Sequence, residues 1–216
     1  MYTPRFNQVA DRNVLIDAMQ QNAFALLLGP YPDADPATGP VATHLPLVVS
    51  DAGPHGLIEG HLARANPHWP ALAGHEVLVI FNGPHGYVSP SLYEEDLSVP
   101  TWNYIAIHAW GTFELVEGHD EKDALLKSLI ALHEPGYADR WRSLPEGFRR
   151  SMLTGIVGFR IAITCIEGKF KLSQNRNPAD RASIRSAHAA GTPKEQELAA
   201  WMQRLGIGIP HAGENT

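Results

Sequence analysis

The sequence predicts a mainly β fold: a six-stranded antiparallel barrel with peripheral helices. Two observations carry this. Six strand-like runs rich in apolar and β-branched residues occupy 24–29, 41–49, 57–63, 76–83, 101–117 and 156–174, punctuated by turn-forming residues. Helical signals stand at the start, between the fifth and sixth runs, and at the end. No composition shift marks a linker. One domain is expected over 1–190, with 191–216 as its C-terminal helix and tail.

Each element has a local cause. Asp11 is a good N-cap for "DRNVLIDAMQQNA", where Leu15 and Met19 share a face four residues apart. "FALLLG" reads as a buried strand, and "PYPDADPATGP" as a turn-rich connector. "VATHLPLVV" is strand-like, with Pro46 suggesting an edge or a bulge. "SDAGPHG" turns it into "LIEGHLA" as the antiparallel partner. "GPHG" recurs at 83–86, and shared turn chemistry accounts for both copies. "DEKDALLKSLIALHE" is helical, with Asp120 as cap and a stripe of Leu125, Leu129 and Leu132. A helix is expected over 144–153, and the last strand breaks around Glu167-Gly168. Asn177 caps a helix with Pro178 in its first turn. Thr192 and Glu195 form a capping box, and Gly206 stops the final helix.

Composition narrows the function classes. The chain has 216 residues, 44% of them hydrophobic, and a formal charge of −6. Such a surface argues against indiscriminate polyanion binding. One cysteine, Cys165, excludes an internal disulfide and fits a reducing cytoplasm. "MYTPRFNQVADRN" has no apolar core of a secretory signal, and no apolar run is long enough to span a bilayer. GxxxxGK[ST], GxGxxG, HExxH and GxSxG are absent. His44, His61, His68 and His108 lack metal-ligand spacing, so no metal is expected. His55, His85, His119 and His211 read as solvated turn or tail residues. Lys169, Lys171, Arg176, Arg181 and Arg185 make a local basic stretch, either phosphate-holding or simply solvated.

Four segments, "VATHLPL", "GHLARANPHW", "VPTWNY" and "IEGKFKLSQNR", occur in that order, with "IFNGPHGYVSPSLY" between the second and third. Together they resemble the motifs of the PaiB family of FMN-binding negative transcriptional regulators, over about residues 1–185. The resemblance implies a flavin-binding split barrel, related in fold to pyridoxamine phosphate oxidase. It also implies a homodimer with FMN at the subunit interface.

On that resemblance, FMN needs donors for its phosphate, hydrogen-bonding groups at its ring edge and apolar or aromatic surface at its face. Arg64 is expected at the phosphate, and Asn66 as cap of a short helix "PHWPAL" and phosphate-side donor. Backbone groups of His61, Leu62 and Ala63 are expected along the ring. Thr43 and His44 add donors from the paired strand. Trp102 and Tyr104 share one strand face and Asn103 takes the other, so one face flanks the flavin while the other packs. Core packing is the competing account of Trp102. Lys171 and Gln174 are further candidates, with Arg176, Ser89 and Tyr93 behind them. Regulator and flavin-dependent or haem-handling enzyme both stay open, because the cofactor carries its own chemistry. Direct DNA binding is doubtful: the final helix carries only Lys194 and Arg204 against Glu195 and Glu197.

Overall fold

The computed structural model describes residues 1–30 and 40–209. Most of the "PYPDADPATGP" connector lies outside the described residues, as does His211. The strands are β1 (Gln8–Val9), β2 (Phe24–Gly29), β3 (Val41–Pro46), β4 (Val48–Ser50), β5 (Leu57–Ala63), β6 (Glu76–Val88), β7 (Thr101–Val116) and β8 (Ile156–Lys171). The helices are α1 (Arg12–Gln21), α2 (Trp69–Leu72), α3 (His119–His133), α4 (Ala138–Ser143), α5 (Glu146–Thr154), α6 (Pro178–Ala189) and α7 (Pro193–Arg204). The sheet order is β3-β2-β6-β7-β8-β5-β4, with β1 beside β8. The expected class, a mainly antiparallel split barrel with peripheral helices, is the one observed.

Among the described residues, eight strands replace the expected six. The run 41–49 divides at Leu47, and the N-terminal pair Gln8–Val9 adds a strand. Pro46 explains the division. β3 pairs with β2, placing Thr43 opposite Leu27 and His44 opposite Leu26. β4 pairs with β5, Val48 opposite Glu59. Thr43 and His44 therefore do not lie on the strand paired with 57–63, as expected from sequence.

Four more expectations need correcting. The second GPHG is no turn but part of β6, so His85 is an exposed strand residue. A Cβ on Gly83 would stand 2.9 Å from Ile105 Cβ, which calls for glycine there without any turn. β8 runs unbroken through Glu167-Gly168, because Gly168 pairs with Val9 and Lys169 with Gln8. Gly118, not Asp120, caps α3, and Leu132 is exposed. His119 opens that helix with its Nε2 atom closed off from solvent.

The chain divides into two compact units. One comprises Met1–Ala10, Asn82–Ile107 and Glu167–Thr216; the other comprises Asp11–Phe81 and His108–Ile166. β6, β7 and β8 contribute residues to both. The core of the second unit is apolar and fully enclosed, with Leu27, Val79, Phe113, Phe159 and Ile161 buried. Phe113 and Phe159 stack at 4.6 Å. α1 caps itself as expected, Asp11 accepting from the backbone N–H of Asn13 and Val14. In the first unit, Phe170 meets Trp201 edge-on at 5.4 Å above buried Ile184, Leu198 and Met202. Asn177 caps α6, and Thr192 and Glu195 form the expected capping box of α7.

Inside the second unit a Cβ on Gly111 would approach the backbone oxygen of Ala162 to 2.3 Å. Backbone cannot yield as a side-chain tip can. Gly111→Ala is expected to destabilise the protein by about 1–3 kcal/mol, the usual cost of overpacking. A urea midpoint equal to that of the parent protein would refute this.

Candidate functional site

In the second unit, the stretch after β5 is laced to the start of β8. The Arg64 backbone N–H donates to Gly155 O at 2.8 Å. Its Nε donates to Thr154 O at 2.8 Å and its Nη2 to Ile156 O at 3.2 Å. Trp69 Nε1 donates to Arg64 O at 3.1 Å, and the guanidinium lies 5.9 Å from the Trp69 ring. Arg64 is nevertheless exposed, and its Nη1 has no partner among the described residues. The result is a cation of fixed position with donors left over, the form that suits a phosphate.

Asn66 plays a different part from the one expected. The helix is only Trp69–Leu72, and its cap position is His68, with no side-chain cap. Asn66 Oδ1 accepts from the His68 backbone N–H at 2.9 Å, which shapes the turn before the helix. His68 is buried, and its Nδ1 lies 2.8 Å from Thr43 Oγ1. The Thr43 hydroxyl is therefore engaged inside the unit. His44 is exposed and stacks 6.2 Å from Phe24. His61 is half-buried on the strand face opposite Leu62, and its buried Nδ1 has no partner. Ala63 is exposed at the end of β5.

In the first unit, β7 divides its faces as the sequence implied. Asn103 is fully buried, whereas Trp102 is 53% exposed. Trp102 is thus not core. It forms an open aromatic surface with Tyr87 at 5.9 Å and His85 at 6.3 Å. Lys169 Nζ lies 5.4 Å from the Tyr104 ring and donates to Tyr2 O. Lys171 Nζ donates to Thr101 Oγ1 and to Trp102 O. Burial lowers the Lys171 pKa, and Lys169 and Arg176 lower it further by repulsion. Arg176 stacks on Tyr93 at 3.9 Å. None of these three cations has an ion pair among the described residues.

Two candidates here are committed elsewhere. Gln174 donates through Nε2 to Phe170 O and accepts through Oε1 from Leu172 N, clasping the turn in which Ser173 adopts φ 62°. Asn103 Oδ1 accepts from Ser173 Oγ at 2.9 Å, and its Nδ2 lies 3.3 Å from His188 Nε2. That network of Asn103, Ser173 and His188 was not foreseen. A histidine in an alanine-rich helix carries no signal of the strand residue it meets.

Among the described residues, no cluster of three metal-ligating side chains occurs and no helix is long and apolar enough to cross a membrane. Residues 1–165 match the family described as "Putative FMN-binding domain", and the chain belongs to that family. FMN is accordingly the cofactor its family membership assigns. The chain is 35% identical over 210 residues to "Protease synthase and sporulation protein PAI 2" of Bacillus subtilis, covering 94% of this chain and 97% of that protein. In fold it is similar to the flavocytochrome Anf3 from Azotobacter vinelandii, with TM-score 0.60, 14% identity, and 78% and 72% of the two chains covered. It is also similar to the FAD and heme binding protein from Mycobacterium smegmatis, with TM-score 0.55, 21% identity, and 76% and 73% covered.

Burial lowers the His188 pKa below its ordinary 6.5, and Glu195 opposes this only in part. His61 and His68 are lowered by burial as well. Such a histidine binds fewer protons folded than unfolded in mild acid. Its stabilising neutral form is fully present above pH 6.5, and stability falls as pH drops below that value. Each such group adds a slope of up to ~1.4 kcal/mol per pH unit. Urea unfolding between pH 7 and 5 should show this decline. His188→Gln should flatten it by up to one proton's share; an undiminished slope would remove His188 from the account.

Proposed function

We propose that this chain is an FMN-binding, PaiB-type regulator that acts as a homodimer, with the flavin as redox sensor or structural cofactor. The observation that carries the reading is Arg64: exposed, fixed by three hydrogen bonds of its own backbone and side chain, and with donors to spare. The residues present fit the group. Arg64 holds the phosphate, and backbone groups of His61, Leu62 and Ala63 line the ring. His61 Nδ1, buried without a partner, is a polar atom such a ring edge can satisfy. Trp102 and Tyr104 supply aromatic surface, and Lys171 supplies positive charge. When bound, FMN contributes reversible one- and two-electron redox chemistry. The regulatory role rests on the resemblance to the PaiB family, and the B. subtilis relative carries protease synthesis and sporulation in its name.

Exposure supports the proposed assembly. Trp102, Tyr87 and Val99 leave apolar surface open in the first unit. Twofold dimers are the commonest way to cover such surface. Residues 60–66 of one protomer and 100–104 of the partner subunit are proposed to share each flavin. Light scattering is expected to report a dimer; a monomer that retains flavin at micromolar concentration would defeat this.

Loss of the phosphate contact tests the core of the reading. FMN should bind much more tightly than riboflavin. Arg64→Ala should weaken FMN alone by roughly ten- to a hundredfold, the worth of about 1.5–3 kcal/mol for a charged hydrogen bond. Equal fluorescence quenching by the two flavins would remove Arg64 from this role.

Regulation is proposed to run through a partner or through metabolism, because α7 offers no free basic face. Lys194 pairs with Glu197, and Arg204 lies over Trp201. Direct DNA binding should be negligible even at low salt. Tight binding that weakens by about 0.9 log units per contacted phosphate for each tenfold rise in salt would restore a direct repressor. A flavin-dependent or haem-handling enzyme is the second reading, favoured by the two redox-cofactor proteins that share the fold. An absorption spectrum of the purified protein separates flavin from haem.

A further inference from the structure

The helices inserted between β7 and β8 enclose a cleft of about 150 Å³ in the second unit. It is lined by His119, Asp120 and Asp123 of α3 and by Glu146, Arg149 and Arg150 of α5. Its acceptors are mostly engaged. Asp123 pairs with Lys127 at 2.5 Å and accepts from Trp141 Nε1 at 2.8 Å. Arg149 adds to the depression of the Asp123 pKa. Glu146 pairs with Arg150 at 3.1 Å. Asp120 is exposed, so solvent screens it.

Its donors are not all engaged. Arg149 Nε is shut off from solvent with no partner, and so is His119 Nε2. Arg149 has no ion pair among the described residues. A guanidinium nitrogen can only donate, and a buried donor without an acceptor is destabilising, more so when charged. The cleft has room for about five waters' worth of volume at ~30 Å³ each. Although three carboxylates line it, none accepts from Arg149 Nε or His119 Nε2.

We propose that this cleft is a binding site for a small oxyanion, a phosphate or carboxylate group, held by Arg149 Nε and by His119 Nε2 in the tautomer that carries a proton there. The site is separate in residues from those assigned to FMN, so it stands or falls independently of the flavin reading. An anion there would join α3 to α5, supplementing the bond from Lys122 Nζ to Leu153 O at 3.0 Å.

The test uses the full-length protein loaded with FMN. Inorganic phosphate and, separately, acetate are titrated while the imidazole resonances are followed by NMR. Saturable shifts of the His119 signals with either probe are expected. Arg149→Ala should weaken that binding ten- to a hundredfold, the equivalent of about 1.5–3 kcal/mol. Arg149 Nε makes no hydrogen bond and Arg149 no ion pair within 4.0 Å among the described residues, so Arg149→Ala should fold, and retention of bound FMN verifies this. Bound FMN should stay in place throughout the anion titration, so that the two sites are read separately. Unmoved His119 signals with both probes would mean that water alone satisfies the cleft, and the proposal fails. It fails equally if Arg149→Ala binds as the parent does, or if the His119 shifts appear only as FMN is displaced.

Discussion

The second unit depends on one short stretch of chain that serves both edges of its sheet. β3 and β4 end the strand order on opposite sides, yet only Leu47 separates them. Pro46 cannot donate a ladder hydrogen bond, so the first pairing stops there. Leu47 is fully buried, and its N–H donates to Ala23 O at 2.9 Å. The next residue begins the pairing with β5. The sheet thus returns on itself through the covalent chain, not through a ladder between its end strands.

The position of Arg64 follows from that return. β5 pairs with β8 from Leu57 opposite Ala162 to Ala63 opposite Ile156. Where the ladder ends, Arg64 continues it with its own N–H and then with its side chain, on Gly155, Thr154 and Ile156. A long flexible side chain ordinarily loses considerable rotamer entropy when it grips a ligand. Here the folded chain has already imposed the order, so less would be lost on the phosphate binding proposed for it. The density of polar residues in "HLARANPHW" has the same origin. Trp69, Asn66 and His68 each hold a part of the turn that presents the guanidinium.

Much of this was legible because its causes are local. Caps at Asp11, Asn177 and Thr192 act within one helical turn, and alternation on β7 correctly separated Trp102 from Asn103. The failures have distant causes. Two identical GPHG stretches take different structures because only the first can turn, with Gly53 and Gly56 at φ 74° and 107°. In the second, Gly83 and Gly86 are required by Ile105 and by the Glu195 side chain, far away in sequence. Gly168 looked like a break because its partner, Val9, lies at the other end of the chain. α4 was not foreseen at all. It is a six-residue helix, too short to show a period, and what secures it is the bond from Trp141 to Asp123 on α3.

The candidate site shows the same division between residue type and residue availability. Sequence identifies which side chains can donate to a phosphate or a ring edge; only the fold decides which have donors left. Thr43, Gln174 and Asn103 have the right chemistry, but their polar atoms are engaged in shaping the fold. Arg64, His61 and Trp102 retain an unpaired donor group, an unsatisfied ring nitrogen and an open aromatic face. Lys169, Lys171 and Arg176 gather positive charge in a chain of net charge −6, and the depressed Lys171 pKa reflects part of that cost. Aromatic rings and backbone carbonyls offset the repulsion only in part, since neither carries a full negative charge. Such a concentration of cations costs folding stability, and the anionic ligand proposed for this protein would offset that cost.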